Sequence, residues 1–154
     1  MLHKAMIAVL TVSTMALMAP AFAQKADFGT AAEAKAMLEK AVTAVKADKA
    51  KALDMFNKGE GGFKDRDLYP FCGNASDGQM TAHPSPQIRA LKLADIKDKN
   101  NYAFGAEMQK IAAEGKIAEV AYAWPRPGAD ATPVPKVSFV TKIGDQVCGV
   151  GYYK

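Results

Sequence analysis

The sequence predicts an α+β fold in which a long N-terminal helix packs on one face of a five-stranded antiparallel sheet. Between residues 30 and 57, apolar side chains recur every three or four positions, the period of helices with one buried face. Beyond Gly61 and Gly62 the period changes, and apolar residues fall into short runs bounded by glycine and proline, as strands do. The predicted order is helix, helix, two strands, helix, three strands.

The long helix is predicted to begin at Thr30, because Thr30 and Glu33 form a capping box that satisfies backbone donors of the first turn. Its buried stripe consists of Met37, Leu38, Ala41, Val42 and Val45. A second helix is expected over residues 49–57, ending before Gly59. The third predicted helix is marked by Phe104, Met108, Ile111 and Ala112, with Gly115 as its stop.

Five strands are expected, over residues 68–72, 79–83, 117–124, 134–141 and 146–153. A turn-rich stretch typical of a hairpin joins the first two, and a short turn at Gly144-Asp145 joins the last two. Residues 87–101 are charged and irregular. These residues and the third helix make up a covering segment, residues 87–115, which should lie on the sheet face opposite the long helix. A cavity between this covering segment and the sheet is the natural place for a small ligand.

Residues 1–23 have the three parts of a cleavable export signal: a positively charged start, an apolar run, and Ala21-Phe22-Ala23, the small-x-small pattern that signal peptidase cuts after. The apolar run is about 14 residues, against roughly 20 for a membrane-spanning helix, so cleavage is favoured over a retained anchor. We therefore expect one domain, residues 24–154, periplasmic or secreted. Its formal charge falls from +4 to +3 because Lys4 is removed, too mild a charge to favour a nucleic-acid partner.

Two cysteines, Cys72 and Cys148, remain in the mature chain. Oxidation is the default for an exported protein, so a disulfide is favoured over two free thiols. Neither cysteine lies in a C-x-x-C or C-x-x-C-H pattern, and we therefore expect the bridge to be structural.

The sequence offers little to support catalysis. His83 is the only histidine left after cleavage, so a multi-histidine metal site cannot be assembled. No Walker loop, G-x-S-x-G or G-x-G-x-x-G motif occurs. A Cys148–His83 nucleophile and base has no local support. We predict no catalytic residues, no cofactor and no metal.

The most suggestive residues lie on two neighbouring strands. If Trp124 faces Val134, then Tyr122 faces Lys136 and Val120 faces Ser138, all on one side of the sheet. Facing a cavity, this set suits a small carboxylate. Lys136 would neutralise its charge, Tyr122 and Ser138 would donate hydrogen bonds, and Trp124 would cover the apolar end. The alternative, a solvated lysine beside an ordinary aromatic core, stays open at this point.

Five sequence blocks resemble the single Cache domain of type 2, an extracytoplasmic sensing module related to the PAS fold. They are Asp67-Leu68-Tyr69-Pro70-Phe71 with the Asp77-Gly78 turn, Thr81-Ala82-His83-Pro84, Ala121-Tyr122-Ala123-Trp124-Pro125, Pro135-Lys136-Val137-Ser138-Phe139-Val140, and Gly149-Val150-Gly151-Tyr152-Tyr153. The resemblance spans roughly residues 30–154. It implies the same helix-on-sheet fold, with a small organic acid held on the other sheet face.

By position, the resemblance implies a pocket lined by His83, Tyr122, Trp124 and Lys136, with further contributions from Tyr152 and from Tyr102 in the covering segment. The two cysteines depart from the family pattern. If the first and fifth strands are neighbours at the sheet centre, as in PAS-like folds, the cysteines could bridge.

Two functions are weighed. The first is a freestanding periplasmic sensory domain that captures a small carboxylate and either presents it to a membrane chemoreceptor or sensor kinase or buffers it. The second is an interaction or structural module that docks a membrane sensor without a soluble ligand of its own. The sequence leaves open the identity of the acid, the signalling partner, and whether two copies pair through the helix over residues 30–45.

Overall fold

The computed structural model describes residues 27–128 and 130–154. The predicted export signal, residues 1–23, lies outside the described residues. The elements in chain order are α1 (Ala31–Ala47), α2 (Lys49–Lys58), β1 (Pro70–Asn74), β2 (Met80–Ala82), α3 (Pro86–Arg89), a 3-10 helix (Leu93–Asp95), α4 (Phe104–Ile111), β3 (Ala118–Pro125), β4 (Pro133–Ile143) and β5 (Gln146–Tyr153). The predicted α+β fold with a five-stranded antiparallel sheet is confirmed.

Helix α1 begins as its capping box predicts. The Thr30 hydroxyl accepts from the Glu33 backbone N–H at 3.2 Å, and the Glu33 carboxylate accepts from the Thr30 N–H at 2.8 Å, so two donors of the first turn are satisfied. Its buried residues are Ala34, Met37, Leu38, Ala41 and Val45. They pack on the sheet face that we call the helix face, with Phe139, Cys148 and Val150.

The strands lie in the order β2-β1-β5-β4-β3, so the first strand of the chain lies beside the last. Strand alternation divides the side chains of β4 and β5 between two faces. Phe139 and Val150 point to the helix face, whereas Lys136, Ser138 and Val140 point to the opposite face, which we call the cavity face. The alternation therefore fixes which residues can reach a ligand on the covered side.

Cys72 and Cys148 are direct register partners on β1 and β5 and form a disulfide buried in the core under α1. Both the predicted bridge and the adjacency of the first and fifth strands are therefore found. A cross-link between central strands restricts the unfolded chain, which is its main contribution to stability in the chain-entropy model.

The covering segment contains more regular structure than the sequence indicated. Residues 87–101 were expected to be irregular, yet they include most of α3 and the whole 3-10 helix. Ser85 caps α3 and Pro86 occupies its first turn. Four-residue and three-residue helices are too short to show a hydrophobic period, so the pattern could not reveal them. Helix α4 packs closely on the 3-10 helix because Gly105 has no side chain. A Cβ at that position would collide with the Leu93 carbonyl.

Among the helices of the described ranges, none is both long and apolar enough to cross a membrane.

The disulfide should contribute strongly to stability. The two cysteines are 76 residues apart, and closing a loop of that length is worth about 4 kcal/mol in the chain-entropy model. We expect urea unfolding of the double variant Cys72→Ala/Cys148→Ala to show a loss of that order. Dithiothreitol should destabilise the native protein and leave the double variant unchanged. A double variant as stable as the native protein would show that the bridge contributes nothing.

Candidate functional site

A cavity of about 30 Å³ lies between the cavity face of the sheet and the covering segment, and we call it the inner chamber. Its apolar wall comes mainly from Phe71, Met80, Ile88, Leu93, Ile96, Phe104, Met108 and Trp124. Its polar groups are Tyr69, His83, Tyr122 and Lys136. A few polar groups converging on an apolar cavity are typical of small-molecule sites.

Lys136 lies in the middle of a row across three strands, with Tyr122 on β3 and Tyr153 on β5 as its register partners. Only 3% of the lysine is exposed. Its Nζ donates to the Tyr69 Oη at 3.3 Å and to the Tyr153 Oη at 3.4 Å, and lies 4.8 Å and 4.5 Å from the centres of those rings. The ammonium is thus surrounded by neutral phenols, which stabilise a cation only partly.

No carboxylate within the described ranges forms an ion pair with Lys136. Burial lowers the pKa of Lys136 to about 7 by disfavouring the charged form. The negative charge of Asp67 acts in the opposite direction, whereas the positive charge of Arg126 lowers the pKa further. An anion entering the inner chamber would supply the missing partner.

Tyr69 and His83 both offer hydrogen-bond donors to the inner chamber. Burial and the charge of Asp67 raise the pKa of Tyr69 to about 12, so the phenol stays protonated and can donate while it accepts from Lys136. Burial, reinforced by the charge of Lys136, lowers the pKa of His83 to about 4. Its Nδ1 accepts from the Ser85 N–H at 2.9 Å, which leaves the proton of the neutral ring on Nε2.

An aromatic cluster holds Tyr122 in place. Phe104 stacks on the Tyr122 ring at 3.9 Å between centroids, and Trp124 meets Phe104 edge-on at 5.4 Å. The Tyr122 Oη and Ser138 Oγ are 2.8 Å apart and hydrogen-bonded. Ser138 is fully buried and is not part of the chamber lining. Ser138, predicted as a hydrogen-bond donor to the ligand, is thus bonded to Tyr122 and holds its hydroxyl in place.

A second cavity of about 330 Å³ adjoins the inner chamber, and we call it the outer chamber. Tyr69, His83, Ile88 and Trp124 line both, so they form the neck between them. The rest of the outer wall consists of Lys64, Arg66, Pro84, Ser85, Pro125, Arg126 and Pro127. Among the residues that the structure describes, no acidic side chain contributes to this lining.

The predicted register is observed, with Trp124 opposite Val134, Tyr122 opposite Lys136 and Val120 opposite Ser138. His83, Tyr122, Trp124 and Lys136 come together at the inner chamber.

Two of the residues predicted to bind ligand, Tyr102 and Tyr152, lie outside both chambers. Tyr102 is 42% exposed and lines neither chamber. Tyr152 lies on the helix face, stacked against Phe139. Since Tyr153 pairs with Lys136 and neighbouring residues on a strand face opposite ways, Tyr153 is the tyrosine of β5 that reaches the lysine.

Three residues at the chambers or at Lys136 were not predicted from the sequence as site residues: Tyr69, Arg126 and Tyr153. Tyr69 stands in one of the family-like blocks, and Tyr153 differs from the chosen Tyr152 by one step of strand alternation. Arg126 follows the end of β3, and no spacing rule connects it to Asp67, whose carboxylate lies 3.4 Å from it. In the parts of the chain that the structure describes, no group of three or more metal-ligating side chains is arranged to hold a metal ion.

A family model described as a Cache domain matches residues 25–153. Among solved structures, a methyl-accepting chemotaxis protein from Vibrio parahaemolyticus RIMD 2210633 is 25% identical with a TM-score of 0.63, covering 79% of this chain and 86% of that chain. A periplasmic sensor domain of a chemotaxis protein is 25% identical with a TM-score of 0.57, covering 78% and 87%.

A third structure, described as the structural basis for carboxylic acid recognition by a Cache chemosensory domain, is 23% identical with a TM-score of 0.54, covering 78% and 85%. At that identity it supports the fold alone.

Gly151 should be essential for the position of Lys136. A Cβ on Gly151 would lie 2.5 Å from the Lys136 Cε and 2.6 Å from the Ser138 Oγ. We expect Gly151→Ala to cost about 1–3 kcal/mol in urea unfolding, because a packed core tolerates added atoms poorly. Gly73→Ala is the matched control, since its nearest neighbour would be 3.3 Å away. Equal losses for the two variants would contradict this account.

Proposed function

The chain belongs to the Cache domain family, and we propose on that premise that its inner chamber binds the carboxylate of a small organic acid, with Lys136 as the anchoring cation. Domains of this family are sensory modules, and two of the similar structures are parts of chemotaxis proteins. In the proposal the domain acts outside the cytoplasm and catalyses no reaction. It presents the bound acid to a membrane chemoreceptor or sensor kinase, or buffers it.

The observation that carries the proposal is the buried Lys136 ammonium, which forms no ion pair with any carboxylate of residues 27–128 and 130–154. Placing a charge in a low-dielectric interior is costly unless an opposite charge accompanies it. With its pKa lowered to about 7, the lysine titrates near neutral pH instead of well above it. An incoming carboxylate favours the protonated form, so the unfavourable charge of the empty site becomes a favourable ion pair in the occupied one.

The neighbouring donors complete a carboxylate site. A carboxylate accepts several hydrogen bonds, and Lys136 Nζ, Tyr69 Oη and His83 Nε2 can each donate one. The inner chamber has room for about two water-sized groups, on the scale of the two oxygens of a carboxylate. The apolar part of the acid would lie toward the neck, against Trp124 and Ile88.

The small volume of the inner chamber also favours a second candidate function, because side chains already fill most of the space that a ligand would need. In this alternative, Lys136 pairs only with the phenols of Tyr69 and Tyr153, no acid binds, and the domain is an interaction module. In that case its surface, and not a soluble acid, would mediate docking to a membrane sensor.

The proposal is tested by thermal unfolding of residues 24–154 with acetate, propionate or butyrate at pH 6, with propionamide as the uncharged isostere. An acid at a hundred times its Kd should stabilise the fold by about 2.7 kcal/mol, and propionamide should not. Lys136→Met should abolish the shift. Without ligand, Lys136→Met should be at least as stable as the native protein. Below about pH 7 the native Lys136 is protonated in the folded state, and burying that charge lowers the free energy of unfolding.

Lys142→Met is the matched control, since Lys142 lies on the same strand and lines neither chamber. It should retain the full acid-induced shift. If Lys136→Met responds to propionate as the native protein does, Lys136 is not the anchor. If no acid shifts the native protein, the interaction module becomes the better account.

A further inference from the structure

We propose that the outer chamber is a second anion subsite built around Arg126, so that the preferred ligand is a short dicarboxylate with one carboxylate at Lys136 and the other at Arg126. This inference rests on the proposed function of the inner chamber and names the class of acid that it binds. The inner chamber alone would favour a monocarboxylate, so the two ligand classes can be distinguished by experiment.

Of the described side chains, three cations line the outer chamber, and they differ in how far carboxylates or solvent already neutralise their charge. The Arg66 guanidinium contacts two carboxylates, Glu33 at 2.7 Å and Asp65 at 3.0 Å. Lys64 is exposed to solvent, where water screens its charge. Arg126 is partly buried, since 22% of its side chain is exposed, and its ion pair to Asp67 is long, at 3.4 Å. It is therefore the cation best suited to receive another anion.

Two aromatic rings and one carboxylate surround the Arg126 guanidinium. Its Cζ lies 3.9 Å from the centre of the Phe28 ring and 4.6 Å from that of Tyr153. Asp67, its ion-pair partner, is itself fixed by accepting from the Gly29 backbone N–H at 2.7 Å. A guanidinium carries five N–H donors, and the hydrogen bond to Asp67 uses one of them. Its planar fork can still bind a carboxylate through two parallel hydrogen bonds.

The spacing of the two cations fits one small ligand. Both Lys136 and Arg126 lie against the Tyr153 ring, at 4.5 Å and 4.6 Å from the same centroid, so Nζ and Cζ are no more than about 9 Å apart. The neck residues Tyr69 and His83 line both chambers, so the two cavities adjoin at these side chains, and the ligand is proposed to pass between them. Because the gap is at most about 9 Å, a four-carbon chain with a carboxylate at each end fits it best, whereas longer chains must bend to pair with both cations.

The experiment compares acids of equal chain length that differ only at the far end: succinate with butyrate, glutarate with valerate, and adipate with hexanoate. Isothermal titration of the native protein at pH 6.5 should show at least one pair in which the dicarboxylate binds about tenfold more tightly. Arg126→Gln should remove that advantage and change the Kd of the matched monocarboxylate by less than about twofold, because that acid has no second carboxylate for the guanidinium to bind.

Two variants keep the result interpretable. Arg126→Lys retains the positive charge without the fork, so it should retain part of the advantage even if Arg126→Gln fails to fold. Lys35→Gln removes one exposed positive charge on α1 and should change neither affinity, which controls for long-range electrostatics.

The outcomes separate this inference from the proposed function. If each monocarboxylate binds as tightly as its dicarboxylate and binding still requires Lys136, the carboxylate site stands and the Arg126 subsite is wrong. If Arg126→Gln weakens both members of a pair equally, Arg126 acts through the fold and not by contact, which also overturns the inference. If no acid binds, or binding does not depend on Lys136, both proposals fail.

Discussion

Three residues in register across the sheet, Tyr122 on β3, Lys136 on β4 and Tyr153 on β5, bring a cation into the interior beside two phenols. The row depends on strand pairing, because a shift of one residue in β4 would move Lys136 to the helix face among the apolar side chains under α1. It also depends on Gly151, which leaves space for the lysine side chain to cross β5. The location of the chamber and its charge follow from these two constraints.

The covering segment encloses that row of side chains in a cavity. Without α3, the 3-10 helix and α4, the Lys136 ammonium would be solvated and its pKa would stay near the ordinary value for lysine. Phe104 and Met108 of α4 cover the cavity face with apolar side chains, and His83, which follows β2, lines the chamber where it adjoins the outer one. The same burial lowers the pKa of His83, which therefore serves as a neutral donor and adds no second charge beside Lys136.

Much of this arrangement could be predicted from the sequence. The capping box placed the start of α1, and alternation along β3 and β4 placed Tyr122 opposite Lys136, because both are local rules with fixed geometry. Tyr152 came from the family resemblance, whereas the two-residue turn at Gly144-Asp145 sets a hairpin register that places Tyr153 opposite Lys136. The Asp67–Arg126 contact was missed because 59 residues separate its partners, and only the folded chain brings them together.

The chambers are also joined to the start of α1. Asp67, the ion-pair partner of Arg126, accepts from the Gly29 N–H, and the Arg66 guanidinium donates to the Phe28 carbonyl at 2.8 Å. The wall of the outer chamber and the chain entering the long helix are therefore held by the same side chains.

The central claim is that Lys136 is a buried cation whose missing counter-charge is the ligand. The most direct measurement is the titration of Lys136 by NMR, following the ¹³Cε shift of labelled lysine and assigning the signal by its loss in Lys136→Met. The account predicts a midpoint at about 7 in the empty protein, and a rise of at least about one unit with saturating propionate, because a bound carboxylate favours the ammonium. A midpoint at the ordinary lysine value, unchanged by propionate, would contradict it.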